Sequence, residues 1–409
     1  MGLYKYYPRP SGRMGALWTL AAVKGAVILE FGSMGHMIYA KRLIEQAGYA
    51  KDCQAFVTHL DEKDIALGMT SRIEKALDEI LQKQRAEAVF LIPSSVPEVI
   101  GTDMEAICEE LSFRYEGIPI LYFPCGSFTM DYHKGIETAL YELCKRLPEE
   151  TERPVSSHNR KELTCNIIGS AIDLHLFEAD AREIERILKE AFGMKVSCVL
   201  STRAEVKSIK KLGEATVNLV IRREGIKAGE VLKKRFGTPY LYGRPYGIEG
   251  TVKWLEQMEE LLGITSDKNF LAEEMKDCHM VYDTLKHNLE FFGERIAFSA
   301  GGNGDVVQGL REFAAAELGI KEGLFWCDSR EEERAGIPCL TEEKILEALT
   351  TLPSGILMAG KEYLRAAGKN TELRTDRGIN EWNFNPHVPP YVGFRGAINL
   401  CSLWFHEIE

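Results

Sequence analysis

The chain has 409 residues, 45% apolar and 27% charged, a composition that argues against disorder and leaves enough chain to bury a large core. Fifty basic against 61 acidic residues give a net charge of −11, which argues against sequence-independent nucleic-acid binding, because that needs clustered Lys and Arg to neutralise phosphates. No apolar run reaches about 18 residues, so no membrane span is predicted.

Residues 1–13 are basic but lack an apolar segment ending in a small-residue cleavage site. No signal peptide is expected there, and the expected location is the cytoplasm. The ten cysteines include no C-x-x-C pair and are expected to be reduced, mostly buried thiols.

Residues 26–31, AVILEF, read as a buried strand that ends at Gly32-Ser33-Met34-Gly35, with a helix following to about residue 46. Further strands are predicted at 54–60, 88–93 and 118–123, the last ending at Pro124-Cys125-Gly126. Helices are predicted at 70–85, at 102–114 and up to about 146. Short apolar strands alternating with amphipathic helices are the pattern of parallel βαβ units. Residues 1–150 therefore read as one α/β domain, and the Pro-, Glu- and Ser-rich stretch 147–161 as a linker.

A second unit, 151–265, has strands near 165–169, 196–200 and 215–221, with helices near 180–191, 204–211, 226–235 and 250–262. A third, 266–375, opens on a helix at 269–292 and has strands near 295–299, 324–327 and 355–358. The tail, 376–409, carries Pro386, Pro389, Pro390 and Gly393 before an apolar helix, and is expected to pack back onto the first domain. The expected fold class is α/β, with three Rossmann-like domains, each a parallel sheet flanked by helices.

Local motifs narrow this. Residues 10–36, with Val23-Lys24 before the strand and Gly32 and Gly35 in the turn, resemble the opening of nitrogenase component 1 subunits. Residues 95–103, SVPEVIGTD, resemble that family's Cys-Pro-x-Glu-x-Ile-Gly-x-Asp element, and Pro124-Cys125-Gly126-Ser127-Phe128 its Gly-Phe turn. Asn166-Ile167-Ile168-Gly169, Phe236-Gly237-Thr238-Pro239, Tyr246-Gly247-Ile248-Glu249-Gly250-Thr251 and Pro390-Tyr391-Val392-Gly393-Phe394-Arg395-Gly396 continue the resemblance in order along the chain.

The departures are chemical. Three cysteines of each catalytic subunit in that family bind a bridging iron–sulfur cluster, and their counterparts here are Pro10, His36 and Ser95. The cysteine that holds the active-site metallocofactor would fall near Ile221 or Arg222, and the histidine near Asn383. Thiolate is the preferred iron–sulfur ligand and proline offers none. Neither nitrogenase cluster is expected to bind in the standard way.

Within this frame His36 is a candidate metal ligand or proton relay, because it follows a parallel strand where α/β proteins bind ligands; a helix-capping or subunit-contact role is the alternative. Cys125 is expected to face the same crevice as His36, with Ser94, Ser95 and His133 nearby. One imidazole and one thiol are too few for a closed site, so a cluster would need ligands from a second subunit. The alternative for Cys125 is a buried thiol in a tight turn. Gly32, Gly35, Ser94, Ser95 and Gly126 complete the expected crevice.

Arg222, Arg223 and Arg244 are expected around the family's cofactor cavity, where guanidinium groups suit an anionic ligand, or else to pair with surface carboxylates. Gly301-Gly302-Asn303-Gly304-Asp305 begins like a dinucleotide fingerprint, but Val307 stands where the third glycine belongs. No phosphate-binding P-loop is present, and a turn that sets helix–sheet packing is the simpler reading. Glu331-Glu332-Glu333-Arg334 reads as a solvated helix face.

The resemblance implies a nitrogenase-like oxidoreductase subunit of an anaerobe. It would pair with itself or with a second component-1-like subunit and take electrons from an ATP-dependent iron–sulfur reductase. Any iron–sulfur cluster would be ligated atypically or mainly by the partner. The alternative, which loss of the thiolates favours, is a non-catalytic subunit or a metallocofactor assembly scaffold. A glycosyltransferase-like or periplasmic-binding-like protein is a third expectation, since those also stack Rossmann-like domains. No nucleic-acid or membrane partner is expected.

Overall fold

A computed structural model describes residues 9–49, 54–67, 70–126, 129–150, 162–292, 296–352, 355–367 and 388–408. Three parallel sheets follow one another along the chain. The first has strands β1 (Ala26–Phe31), β2 (Gln54–Val57), β3 (Ala88–Pro93) and β4 (Ile120–Tyr122) in the order β2-β1-β3-β4. The second has β5 (Thr164–Ser170), β6 (Lys195–Ser201), β7 (Val217–Val220) and β8 (Tyr240–Tyr242) in the order β6-β5-β7-β8. The third has β9 (Ala297–Gly302), β10 (Lys321–Cys327) and β11 (Gly355–Met358) in the order β10-β9-β11.

Each sheet therefore starts in its middle and grows first to one side, then to the other. The chain reverses its winding beside β1, β5 and β9, and in open α/β sheets ligand sites form at the carboxyl ends of the strands at such points. The expected fold class is met.

Strands covered on both faces by helices read as continuous apolar runs. β1 is buried along its whole length, and its residues divide by parity. Val27, Leu29 and Phe31 join a core with Leu77, Val89 and Leu111, while Ala26 and Ile28 face the opposite side. That second core continues without a break through the sheets of the other two units. The parity also puts Glu30 on the side of the shared core.

Several elements here were not predicted, the helices Glu62–Leu67, Glu342–Thr350 and Lys361–Ala366 among them. The helix Gly12–Leu20 precedes β1 and packs on the helix Tyr132–Arg146. The approach is backbone to backbone. A Cβ on Gly15 would lie 1.9 Å from the carbonyl oxygen of Tyr132, and one on Gly135 would lie 1.8 Å from that of Gly12. Strand β8, only three residues long, is too short to read by periodicity.

The tail differs from expectation. Its helix, Gly393–Ile408, packs on the helices Lys268–Phe292 and Phe177–Phe192 and on β11, so it belongs with the second and third units rather than the first. The reason is aromatic. Trp404 is fully buried, with its ring centre 5.0 Å from Phe298 and 5.4 Å from Phe313. The predicted linker is described only to residue 150; the rest, 151–161, lies outside the described residues.

Trp404→Ala should cost roughly 3–5 kcal/mol, the usual range for removing a fully buried large aromatic. Urea unfolding followed by circular dichroism measures it, with a change below about 1 kcal/mol counting against the aromatic anchor.

Candidate functional site at the strand ends

The first site lies at the carboxyl ends of β1, β3 and β4. Glu30, on the shared-core side of β1, is fully buried and accepts a hydrogen bond from Arg13 at 3.0 Å. Burial pushes its carboxyl up to about 7 against the pull of Arg13. Ser94 continues the parity of β3 and is buried, with no hydrogen-bond partner for its hydroxyl among the described residues. A Cβ on Gly32 would meet Ser94 Cβ at 2.2 Å, so the turn after β1 accepts only glycine at this backbone position.

Cys125 lies in the same layer, 1% exposed and close in charge to Arg13 and Glu30, and burial pushes its thiol up to about 12. Gly126 is equally confined, since a Cβ there would lie 2.2 Å from Thr129 Oγ1. Ser95 is half-buried and opens the short helix Ser95–Val99.

The outer lip is different. Gly35 is exposed, with nothing within 4 Å of where its Cβ would be. His36 lies in the first turn of the helix Met34–Ile44; its side chain is outside the described residues. On that helix Met34 and Ile38 are exposed, and Val99 and Ile100 are exposed at the end of the neighbouring Ser95–Val99 helix. Both helices begin at the carboxyl ends of the adjacent strands β1 and β3, so the crevice mouth has an apolar rim.

Among the described residues this crevice does not group four thiols to hold an iron–sulfur cluster. The thiol offered at this crevice, Cys125, is sealed and held protonated, and the neighbouring donors are hydroxyls and a carboxyl.

The second site lies between all three units. Arg222, just past β7, is fully buried. It forms a bidentate pair with Asp173, at 2.9 and 3.0 Å, and another with Glu224, at 2.9 and 2.6 Å. Glu224 Oε1 also lies 2.6 Å from His133 Nδ1, which comes from the first unit. The third unit contributes Asn303, whose amide donates to Glu332 at 2.9 Å and to Glu224 at 3.4 Å. His133 Nε2 lies 3.6 Å from Glu332 Oε2, and neither atom has a hydrogen-bond partner among the described residues.

The electrostatics follow. Burial opposes charge on His133, but Glu332 and Glu224 outweigh it and raise the imidazole to about 10. Burial opposes charge on Glu224 too, and Arg222 and His133 outweigh it, holding the carboxyl well below its usual range. Glu332 is pushed up to about 8 by burial. His133, Glu224 and Glu332 each place a ligand atom within 4.8 Å of the others, and are the described side chains best grouped to hold a metal ion or to share a proton.

The expected arginines are thus built into the protein. Arg222 is neither solvent-facing nor open to a ligand. Arg244 is buried too and pairs with Asp180, whose other oxygen accepts from Tyr391 N at 2.8 Å. Arg223 contributes its backbone amide, which donates to Asp305 at 2.6 Å.

The glycine-rich turn at 301–305 serves packing. A Cβ on Gly301 would fall 1.8 Å from the Trp326 ring, and Asn303 caps the helix Gly304–Glu312 by accepting from Asp305 N and Val306 N. The solvated face expected at 331–334 is corrected: Glu332 is buried because Asn303 and His133 bind it, while Glu331 and Glu333 remain exposed. Sequence reasoning missed Glu30 as well. A lone carboxylate in an otherwise apolar six-residue strand was the available signal.

Comparison with known proteins agrees with this architecture. The family model described as nitrogenase component 1 type oxidoreductase matches residues 11–409, and the chain belongs to that family. The nitrogenase iron-molybdenum cofactor biosynthesis protein NifE of Clostridium pasteurianum is 24% identical, over 85% of this chain and 75% of its own length. A light-independent protochlorophyllide reductase subunit of Prosthecochloris aestuarii is 28% identical, over 83% of this chain and 67% of its own. A nitrogenase Cp1 structure at pH 6.5 superposes with a TM-score of 0.81 at 16% identity, covering all of this chain and 94% of the other. No helix among the described residues is long and apolar enough to cross a membrane.

The His133 cluster predicts a pH dependence. A histidine raised from 6.5 to about 10 contributes stability that is complete below pH 6.5 and lost as pH rises towards 10. Thermal stability should therefore fall across that window, and His133→Gln should flatten the fall while lowering stability at pH 6. Parallel melting curves for the two proteins would refute the ion-paired imidazole.

Proposed function

We propose that this chain is one component-1-like subunit of a nitrogenase-like oxidoreductase. It pairs with a second such subunit, or with a second copy of itself, and takes electrons from an ATP-dependent iron–sulfur reductase to reduce a small molecule or cofactor. Any bridging cluster is held mainly by the partner's ligands, with His36 at the edge that faces it.

The observation that carries this reading is the apolar rim formed by Met34, Ile38, Val99 and Ile100 around the strand-end crevice. Ile38 and Val99 are 60% and 72% exposed. Four exposed apolar side chains on two neighbouring helices at a strand-end site support a surface that a partner covers. Inside it, the Ser94 hydroxyl and one Glu30 carboxylate oxygen have no hydrogen-bond partner among the described residues.

Two measurements test it. Light scattering of the purified protein, alone and with any co-purifying partner, should give at least twice 46 kDa. Ile38→Asp with Val99→Asp should halve that mass without lowering the melting temperature, because both side chains are already exposed. Iron and acid-labile sulfide should rise in His36→Cys, which restores a thiolate at the edge of the shared site, and fall in His36→Ala. A monomer at micromolar concentration, with both His36 variants matching the wild type in metal content, would exclude the shared-site reading.

A second reading is favoured by Arg222. Where the family's cofactor cysteine would fall, this chain holds a buried guanidinium saturated by Asp173 and Glu224. That supports a subunit that keeps fold and interface without a metallocofactor of its own, as an assembly scaffold would. An oligomer with no iron, no sulfide and no turnover in the assembled complex would favour it.

A further inference from the structure

β10 ends at Cys327, and the chain returns through residues 328–338 to lay Cys339 alongside it. The two cysteines are partners in a parallel bridge, and Cys327 N donates to Pro338 O at 3.0 Å. Bridge partners on neighbouring strands are about 4.7–4.9 Å apart. That lies within the roughly 4.4–6.8 Å Cα separation that a disulfide spans. Both are free thiols in the structure.

The pair is asymmetric. Cys327 is fully buried, and its S–H is directed at the carbonyl oxygens of Ser329, at 3.2 Å, and Ile337, at 3.5 Å. Cys339 is only half-buried, and its sulfur accepts a hydrogen bond from the Arg9 guanidinium at 3.2 Å. The same guanidinium nitrogen is anchored on Leu340 O, also at 3.2 Å. One sulfur is thus reachable and faces a cation, while the other is a sealed hydrogen donor beside it.

We propose that Cys339 and Cys327 form a redox-active dithiol that reacts with low-molecular-weight disulfides, with Cys339 as the attacking sulfur and Cys327 as the resolving one. Reactive cysteines occur in partly exposed, electropositive surroundings of this kind. The interaction with Cys327 and the Arg9 cation hold Cys339 down to about 6, while Cys327 is raised.

The exchange balances. The Cys339 thiolate attacks one sulfur of RS–SR, forming a mixed disulfide and releasing RS⁻. Cys327 then gives up its proton, attacks the Cys339 sulfur and releases a second RS⁻. Two protein thiols are oxidised, one external disulfide is reduced, and two RSH leave after protonation. Neither step uses the strand-end crevice or the Arg222 cluster, so this site stands apart from the proposed function.

The test uses the full chain, reduced anaerobically and then equilibrated with excess glutathione disulfide. Mass spectrometry should show the loss of two hydrogens and a peptide cross-linked between Cys327 and Cys339. Cys327→Ser should instead trap glutathione on Cys339, and Cys339→Ser should give neither product. Alkylation of Cys339 by iodoacetamide should show a midpoint near pH 6 in the wild type, and Cys327→Ser and Arg9→Gln should each move it up. Retention of both thiols in the wild type under excess glutathione disulfide, or a cross-link between other cysteines, would overturn the proposal. The wild-type measurement decides this even if a variant folds poorly.

Discussion

A guanidinium group without access to water must bring its counter-charges with it, and Arg222 sets the arrangement of the three units for that reason. Asp173 and Glu224 neutralise it from within its own unit. Glu224 then has one oxygen committed to His133 in the first unit, and Asn303 ties that carboxylate to Glu332 in the third. Removing one partner from such a buried set typically costs 3–5 kcal/mol, because the remaining charge is left uncompensated. The cluster thus ties the three units together in the interior, alongside the continuous apolar core.

Several sequence elements shared with the family act as joints of the same kind. The Gly247-Ile248-Glu249-Gly250-Thr251 segment begins the helix Ile248–Leu262, and the Glu317 carboxylate of the third unit accepts from Ile248 N at 2.8 Å and Gly250 N at 3.0 Å. A carboxylate at a helix N-terminus satisfies free amides and complements the helix dipole. The Pro390–Gly396 segment is joined through Tyr391 N to Asp180, and through Gly393 N to Pro245 O at 2.7 Å. These elements hold the second and third units and the tail together.

Most of the fold was legible because parallel strands covered on both faces are plain apolar runs, and the three series of them are separated by amphipathic helices. What stayed hidden depends on contacts distant in sequence. No element is read at Gly12–Leu20 from sequence, because its partner helix lies more than a hundred residues away and its contact is made by glycine. Glu332 looked solvated because its neighbours in sequence are, whereas its burial is decided by Asn303 and His133. Arg222 has one carboxylate partner, Glu224, two residues away, but its other partner Asp173 and the Asp180 partner of Arg244 lie 49 and 64 residues away and cannot be read from local spacing. Of the crevice, Gly32, Ser94 and Gly126 proved to be close-packed, and Cys125 sits beneath the mouth beside Glu30.

The continuous core has a consequence for how such chains diversify. Three units of like topology invite the idea of interchangeable cassettes that recombination could swap between relatives. Here one apolar body runs from the even-numbered face of β1 to Trp404 near the other end of the chain, and hydrogen bonds to buried carboxylates cross both boundaries. A cassette imported from a relative would arrive with unmatched charges on two sides and a severed core. Change in this lineage is therefore expected to proceed residue by residue at the crevice, with the three units inherited together.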